Sequence, residues 1–140
     1  MKTASDVMIR DPVCCTPDDS VVEAARIMER DEVSVVPIVE SADTRKLVGV
    51  VTDRDLCLMV VAAGLPPFDV TVEECMTDEV ITVGEETDLR EVLRLMQQER
   101  QWRIPVVDAT GACVGMVAQG DVIVALQGNG LGAAASQDVS

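Results

Sequence analysis

A chain of 140 residues, nearly half of them apolar, suffices for one domain or two half-domains sharing a core, but with only Trp102 and Phe68 as aromatics its interior must be aliphatic. A formal net charge of -14, with eleven scattered Lys and Arg and no basic run, argues against nucleic-acid and membrane-surface partners. No apolar run approaches the roughly 18 residues of a membrane span and Met1 to Asp11 holds no signal-peptide core, so a cytoplasmic protein is expected.

Ser5 to Met8 starts on a capping residue and makes at most one turn, and Val13 to Cys15 reads as a short strand. Asp18, Asp19 and Ser20 supply cap and first-turn chemistry for a helix to about Arg30, with Val21, Ala24, Ala25 and Met28 inward. Val33 to Val39 is a β-branched run whose Pro37 lacks a ladder donor, which points to an edge or a bulge. A loop at Ser41 to Lys46 leads to a strand at Leu47 to Thr52 and a helix from about Asp53 to Ala63, closed by Gly64 and Pro66-Pro67. Phe68 to Val70 is a bridge, and Thr71 with Glu74 makes a capping box. A strand at Val80 to Val83, a helix at Asp88 to Gln98 with Leu89, Val92, Leu93 and Met96 inward, and a hairpin of Arg103 to Asp108 with Cys113 to Val117 follow. Gln119 to Leu126 is the closing helix, and residues 127-140 read as a disordered tail.

This order occurs twice. A shift of 68 residues pairs Met8 with Met76, Glu23 with Glu91, Arg26 with Arg94, Met28 with Met96 and Pro37 with Pro105. Beyond the hairpin loop a shift of 66 pairs Gly49 with Gly115, Val51 with Val117 and Asp55 with Asp121. The copies are residues 1-66 and 67-126. Each reads as βαββα with too little core to stand alone, so the fold class is α+β: two pseudo-two-fold related units of small sheets and helices, with two clefts between the halves.

The chemistry concentrates at the strand-to-helix junction Gly49-Val50-Val51-Thr52-Asp53-Arg54-Asp55 and its weaker copy Gly115 to Asp121. Thr52 ends the strand and Asp55 lies in the first helical turn, so a hydroxyl, a carboxylate and helix N-terminal amides converge. A carboxylate accepting two bonds suits a cis-diol such as ribose. Equally, Thr52 and Asp55 can satisfy each other's backbone amides as a capping box. Both readings stand at this point.

Five cysteines, Cys14, Cys15, Cys57, Cys75 and Cys113, show no C-x-x-C spacing, and there is no histidine. No metal site is expected, and reduced, mostly buried thiols are. The adjacent Cys14 and Cys15 invite a redox reading, but neighbours on a strand point oppositely and suit a disulfide badly.

The duplicated βαββα unit with its G-h-h-T-x-x-D ending and preceding Pro-containing strand resembles a tandem pair of cystathionine-β-synthase (CBS) domains, a Bateman module, over roughly residues 3-126. Thr52-Asp53-Arg54-Asp55 and the connector Ala62 to Pro67 are similar to those of small stand-alone bacterial CBS-pair proteins, including the hypoxic-response type. The resemblance implies a regulatory module, paired as a disc-like homodimer, that binds AMP, ADP, ATP or S-adenosylmethionine. It gives Asp55 the ribose diol, Thr52 a neighbouring ribose or phosphate oxygen, Asp121 the diol of the second cleft and Arg103 a phosphate. Ala118 replaces the second hydroxyl, and Val35 stands where the first copy would carry Arg103's charge. No histidine, activated nucleophile or phosphate-cradling Gly loop speaks for an enzyme. The rival reading is a ligand-free homodimeric interaction module that regulates a partner protein.

Overall fold

The computed structural model describes residues 1-128, so the expected disordered tail lies, from residue 129 on, outside the described residues. The helices are α1 (Ala4–Val7), α2 (Val21–Asp31), α3 (Asp53–Leu56), α4 (Leu89–Glu99) and α5 (Gln119–Gln127). The strands are β1 (Ile9–Arg10), β2 (Val35–Val39), β3 (Leu47–Thr52), β4 (Val83–Gly84), β5 (Arg103–Val107) and β6 (Cys113–Ala118). Among the described residues no helix is long and apolar enough to cross a membrane.

Two compact units emerge. The N-repeat unit comprises Pro12–Val80 with Thr110–Cys113, and the C-repeat unit comprises Met1–Asp11, Ile81–Ala109 and residues 114-128. The expected division after residue 66 separates the sequence repeats, whereas the compact units exchange the segment preceding each repeat.

The two long helices form for the same reasons. Ser20 Oγ accepts from the Val22 amide at 3.1 Å and Asp88 Oδ1 from the Arg90 amide at 2.9 Å, which caps α2 and α4. Both end in a left-handed residue, Glu32 and Arg100, each with φ +55° and its amide on a methionine carbonyl four residues back. The buried face of α4 is Leu89, Val92 and Met96, as its spacing predicts. In α2 it is Val21, Ala24 and Ile27 instead, and the expected inward Ala25 is exposed. Ile27 offers far more apolar area than Ala25, and the helix rotates to bury it.

The sheets explain the repeat. In the C-repeat unit four strands run β1-β6-β5-β4, with β1 antiparallel to β6 and β4 parallel to β5. In the N-repeat unit β2 and β3 pair antiparallel, with a bulge between Ile38 and Val39 beside Pro37. Single bridges flank that pair, Cys15 to Ile38 in parallel and Val50 to Thr77 antiparallel. The order Thr77, β3, β2, Cys15 is therefore the four-strand order of the other unit with its outer strands contracted. The expected strand at Val13 to Cys15 is reduced to the Cys15 bridge, and that at Val80 to Val83 begins only at Val83. Their outer positions leave little ladder to make. The first turn is capped by Thr3 rather than Ser5, with the Thr3 amide 2.8 Å from Asp6 Oδ2. Thr71 and Glu74 repeat that box with an amide-to-carboxylate distance of 2.7 Å. The helix expected from Asp53 to Ala63 gives one α turn and then widens to a π turn at Cys57–Val61. Val60 is buried, while Leu58, Met59 and Val61 are exposed.

Each unit has its own aliphatic core, and no polar side chain is buried among the described residues. The cores are copies: Val36, Ile38 and Val51 in one stand where Ile104, Val106 and Val117 stand in the other.

One packing detail depends on glycine. A Cβ on Gly49 would lie 2.8 Å from Met76 Sδ and 2.8 Å from the Thr77 carbonyl oxygen. A Cβ on Gly115 would collide with Met8 in the same way. The Met8/Met76 and Gly49/Gly115 pairs of the repeat are thus one contact made twice, a thioether seated over a bare strand position. The Thr77 carbonyl cannot retreat without losing its bond from the Val50 amide, 3.0 Å long. Gly49→Ala is expected to destabilise the protein by about 1–3 kcal/mol in urea unfolding, the usual range for overpacking. A midpoint unchanged from wild type would disprove the contact.

Candidate functional site

The four residues singled out in the sequence fall at corresponding ends of the two units. Thr52 is the last residue of β3 and Asp55 closes the first turn of α3, both half-buried in the N-repeat unit. Arg103 opens β5 and Asp121 lies in the first turn of α5, both exposed in the C-repeat unit. In each unit one backbone bond joins the end of the later strand to the start of the earlier one. Asp53 donates its amide to the Ser34 carbonyl at 3.0 Å, and Gln119 donates to Trp102 at 2.8 Å. Those bonds set Val35 beside Thr52, which the β2–β3 register also pairs, and bring Arg103 to the end carrying Ala118 and Asp121. No ion pair joins Arg103 to Asp121 among the described residues. Trp102 is 45% exposed.

Thr52 and Asp55 do form the capping box. The Thr52 amide donates to Asp55 Oδ2 at 2.9 Å, and the Asp55 amide donates to Thr52 Oγ1 at 3.1 Å. Arg54 donates its amide to Asp53 Oδ1 at 2.8 Å. The expectation of open helix amides at this end is therefore corrected: the amides of residues 52-55 are all engaged within the chain. What remains is Asp55 Oδ1, which accepts no hydrogen bond among the described residues. The box does not compete with a diol for that oxygen. It orients the carboxylate, leaving one edge for a donor from outside.

At the C-repeat end the balance differs. Ala118 has cap geometry, φ -110° and ψ 146°, close to the φ -112° and ψ 163° of Thr52. It has no oxygen, so the first turn of α5 receives no side-chain cap. The cation, however, is on this side, at Arg103.

A family model for the CBS domain matches twice, over residues 4–61 and 72–128, and together the matches cover most of the chain. The chain belongs to the CBS domain family. It is a tandem pair of CBS domains, as the duplicated motif leads one to expect. It is 32% identical over 123 residues to the inosine-5'-monophosphate dehydrogenase of Methanocaldococcus jannaschii, a match covering 88% of this chain and 23% of that protein. The CBS pair thus spans about a quarter of the length of the curated relatives it matches. Among solved structures, CBSX2 of Arabidopsis thaliana in complex with AMP is similar at a TM-score of 0.76 and 29% identity, covering 91% of this chain and 98% of that one. The CBS domain pair of protein MJ0100, in complex with 5'-methylthioadenosine and S-adenosyl-L-methionine, gives 0.78 and 29%, with the same coverage.

The unequal boxes can be tested by exchange. Thr52→Ala is expected to cost about 1 kcal/mol of unfolding free energy, as loss of a cap does. Ala118→Thr, which supplies a partner for Asp121 in a backbone already shaped for it, is expected to add about 0.5–1 kcal/mol. A destabilising Ala118→Thr in urea titration would show that the second junction cannot close a box.

Proposed function

We propose that the chain is a cytoplasmic, non-enzymatic regulatory module that binds an adenosine-containing ligand of the AMP, ADP, ATP or S-adenosylmethionine class. Asp55 holds the ribose diol through its open oxygen, and Thr52 meets a neighbouring ribose or phosphate oxygen. Arg103 meets phosphate, and Asp121 serves a second, weaker position. The observation that carries this reading is that two CBS pairs similar over nine-tenths of the chain are solved with adenosyl ligands. The half-buried, pre-oriented Asp55 carboxylate supports it, because a diol can bind there without breaking the box.

A ligand present at 100 times its dissociation constant adds about 2.7 kcal/mol to stability, which for a chain of this size raises Tm by roughly 5 to 11 °C. AMP, ADP, ATP and S-adenosylmethionine are the ligands to screen by thermal shift. At a fixed ligand concentration, Asp55→Ala is expected to erase the shift and Asp121→Ala to reduce it. Equal losses would contradict the ranking of the two positions, and no shift with any ligand would remove the reading.

A second reading, a homodimeric interaction module that regulates a partner protein, is favoured by one surface feature. From the π turn to the connector, Leu58, Met59, Val61, Leu65 and Phe68 are all exposed, with Val61 at 72% and Phe68 at 71%. Such a run of apolar side chains marks an association surface. Sedimentation is expected to give a dimer for the wild type and a monomer for the Val61→Glu, Phe68→Glu double variant. A wild-type monomer at tens of micromolar or above, on the order of ordinary association constants, would count against it.

A further inference from the structure

The cysteines the sequence leaves unassigned are not equivalent, and a different residue set from the proposed nucleotide site decides which one reacts. Cys14 and Cys15 point apart, as neighbours in an extended segment must. Cys15 is buried at its bridge to Ile38. Cys14 is half-buried and turns toward Arg45. The Arg45 Nη2 donates to the Pro12 carbonyl at 3.1 Å, to the Cys113 carbonyl at 3.1 Å and to Cys14 Sγ at 3.5 Å. Its Nε adds a second bond to the Cys113 carbonyl at 3.2 Å. The backbone holds the cation there: Arg45 has φ +53°, and its carbonyl accepts the Cys113 amide at 2.8 Å. The four side-chain bonds hold the guanidinium in that position.

We propose that Cys14 and Cys113, gathered around the Arg45 guanidinium, form a peroxide-reactive thiol pair that closes to a disulfide. The thiol of Cys113 hydrogen-bonds Cys14 and, with the nearby charge of Arg45, draws the Cys14 thiol below its ordinary value against the opposing effect of burial. The buried thiols of Cys15 and Cys75 are disfavoured. Burial, then Asp19 and Glu23, push the Cys15 thiol up to about 12. Burial, then Glu74 and Asp55, push that of Cys75 upward. Cys14 also lines an open cavity of about 370 Å³ with Asp19, Ser20, Glu23 and Arg26, ample room for a small oxidant.

The chemistry balances with hydrogen peroxide as oxidant. The Cys14 thiolate attacks one peroxide oxygen, the O–O bond breaks, hydroxide leaves, and Cys14 becomes a sulfenic acid. The Cys113 thiol then attacks the Cys14 sulfur, forming the S–S bond and releasing water. The two sulfurs supply the two electrons that reduce the peroxide. The product ties the segment before α2 to the first residue of β6.

The test treats the reduced full-length protein with hydrogen peroxide, traps remaining thiols with N-ethylmaleimide and maps the peptides by mass spectrometry. A linked peptide joining Cys14 to Cys113, lighter by two hydrogens, is expected, with Cys57 still alkylated. Cys113→Ser is expected to stop at the Cys14 sulfenic acid, captured by dimedone, and Cys14→Ser to give neither product. Arg45→Gln is expected to slow the link severalfold, because the nearby cation favours the thiolate, and Arg45→Lys to restore most of the rate. A link joining Cys14 to Cys15, links through Cys57 alone, or five unmodified thiols after peroxide would overturn the proposal. So would a folded Arg45→Gln that links at the wild-type rate.

Discussion

The structure depends on a methionine resting where a strand has no side chain. Met76 over Gly49 and Met8 over Gly115 let the segment before one repeat come close enough to hydrogen-bond the last strand of the other. Glycine weakens a strand by its backbone entropy and its lack of side-chain contacts. Here that loss is offset by thioether packing and by the paired bonds between Val50 and Thr77, 3.0 and 2.8 Å long. Since side chains alternate along a strand, the same contact that fixes Gly49 fixes the face on which Val51 points into the core. Thr52 then falls at the strand's end, positioned for its box with Asp55. A larger residue at Gly49 would disturb the sheet, the exchange of segments and the junction together.

What the sequence revealed follows how local each signal is. The long helices were legible because caps and period lie within a few residues: Ser20 and Asp88 start them and the Leu89, Val92, Met96 stripe orients one. The hairpins were legible from β-branched runs and the two-residue difference in their loops. The outer strands were not. Ile9 and Arg10 are both exposed and show no apolar alternation, so their pairing with Gly115 and Met116, more than a hundred residues away, leaves no local mark. Cys15 looked like strand because it is apolar and extended, yet it makes only one bridge. Ala25 for Ile27 was an error of phase, since apolar residues at 24, 25, 27 and 28 allow either face and side-chain size decides.

At the junction the sequence offered two readings that the geometry makes compatible. A capping box uses one carboxylate oxygen and one hydroxyl lone pair, while a diol needs acceptors pointing outward. Asp55 has an oxygen for each purpose. The same sequence gave no hint of the Arg45 cluster, because Arg45 is separated from Cys14 by 31 residues and from Cys113 by 68. Its cause is topological: the hairpin loop returns beside Pro12 and Cys113, and the left-handed turn at Arg45 aims its side chain inward.

The two junctions have diverged in complementary ways. The N-repeat end keeps the hydroxyl and the box but has Val35 where Arg103 stands in the other copy, so its junction presents the Thr52 hydroxyl and the Asp55 carboxylate. The C-repeat end keeps Arg103 but has lost the hydroxyl to Ala118, leaving helix amides without a side-chain cap and a cation at the same end. On a chain with net charge -14, long-range repulsion acts against any anion, and only short-range partners can offset it. Arg103 and the uncapped first turn of α5 supply positive potential of that short range, whereas the Asp55 carboxylate repels an anion placed against it. Each end thus lacks one polar contribution that its copy keeps, the cation at Val35 and the hydroxyl at Ala118.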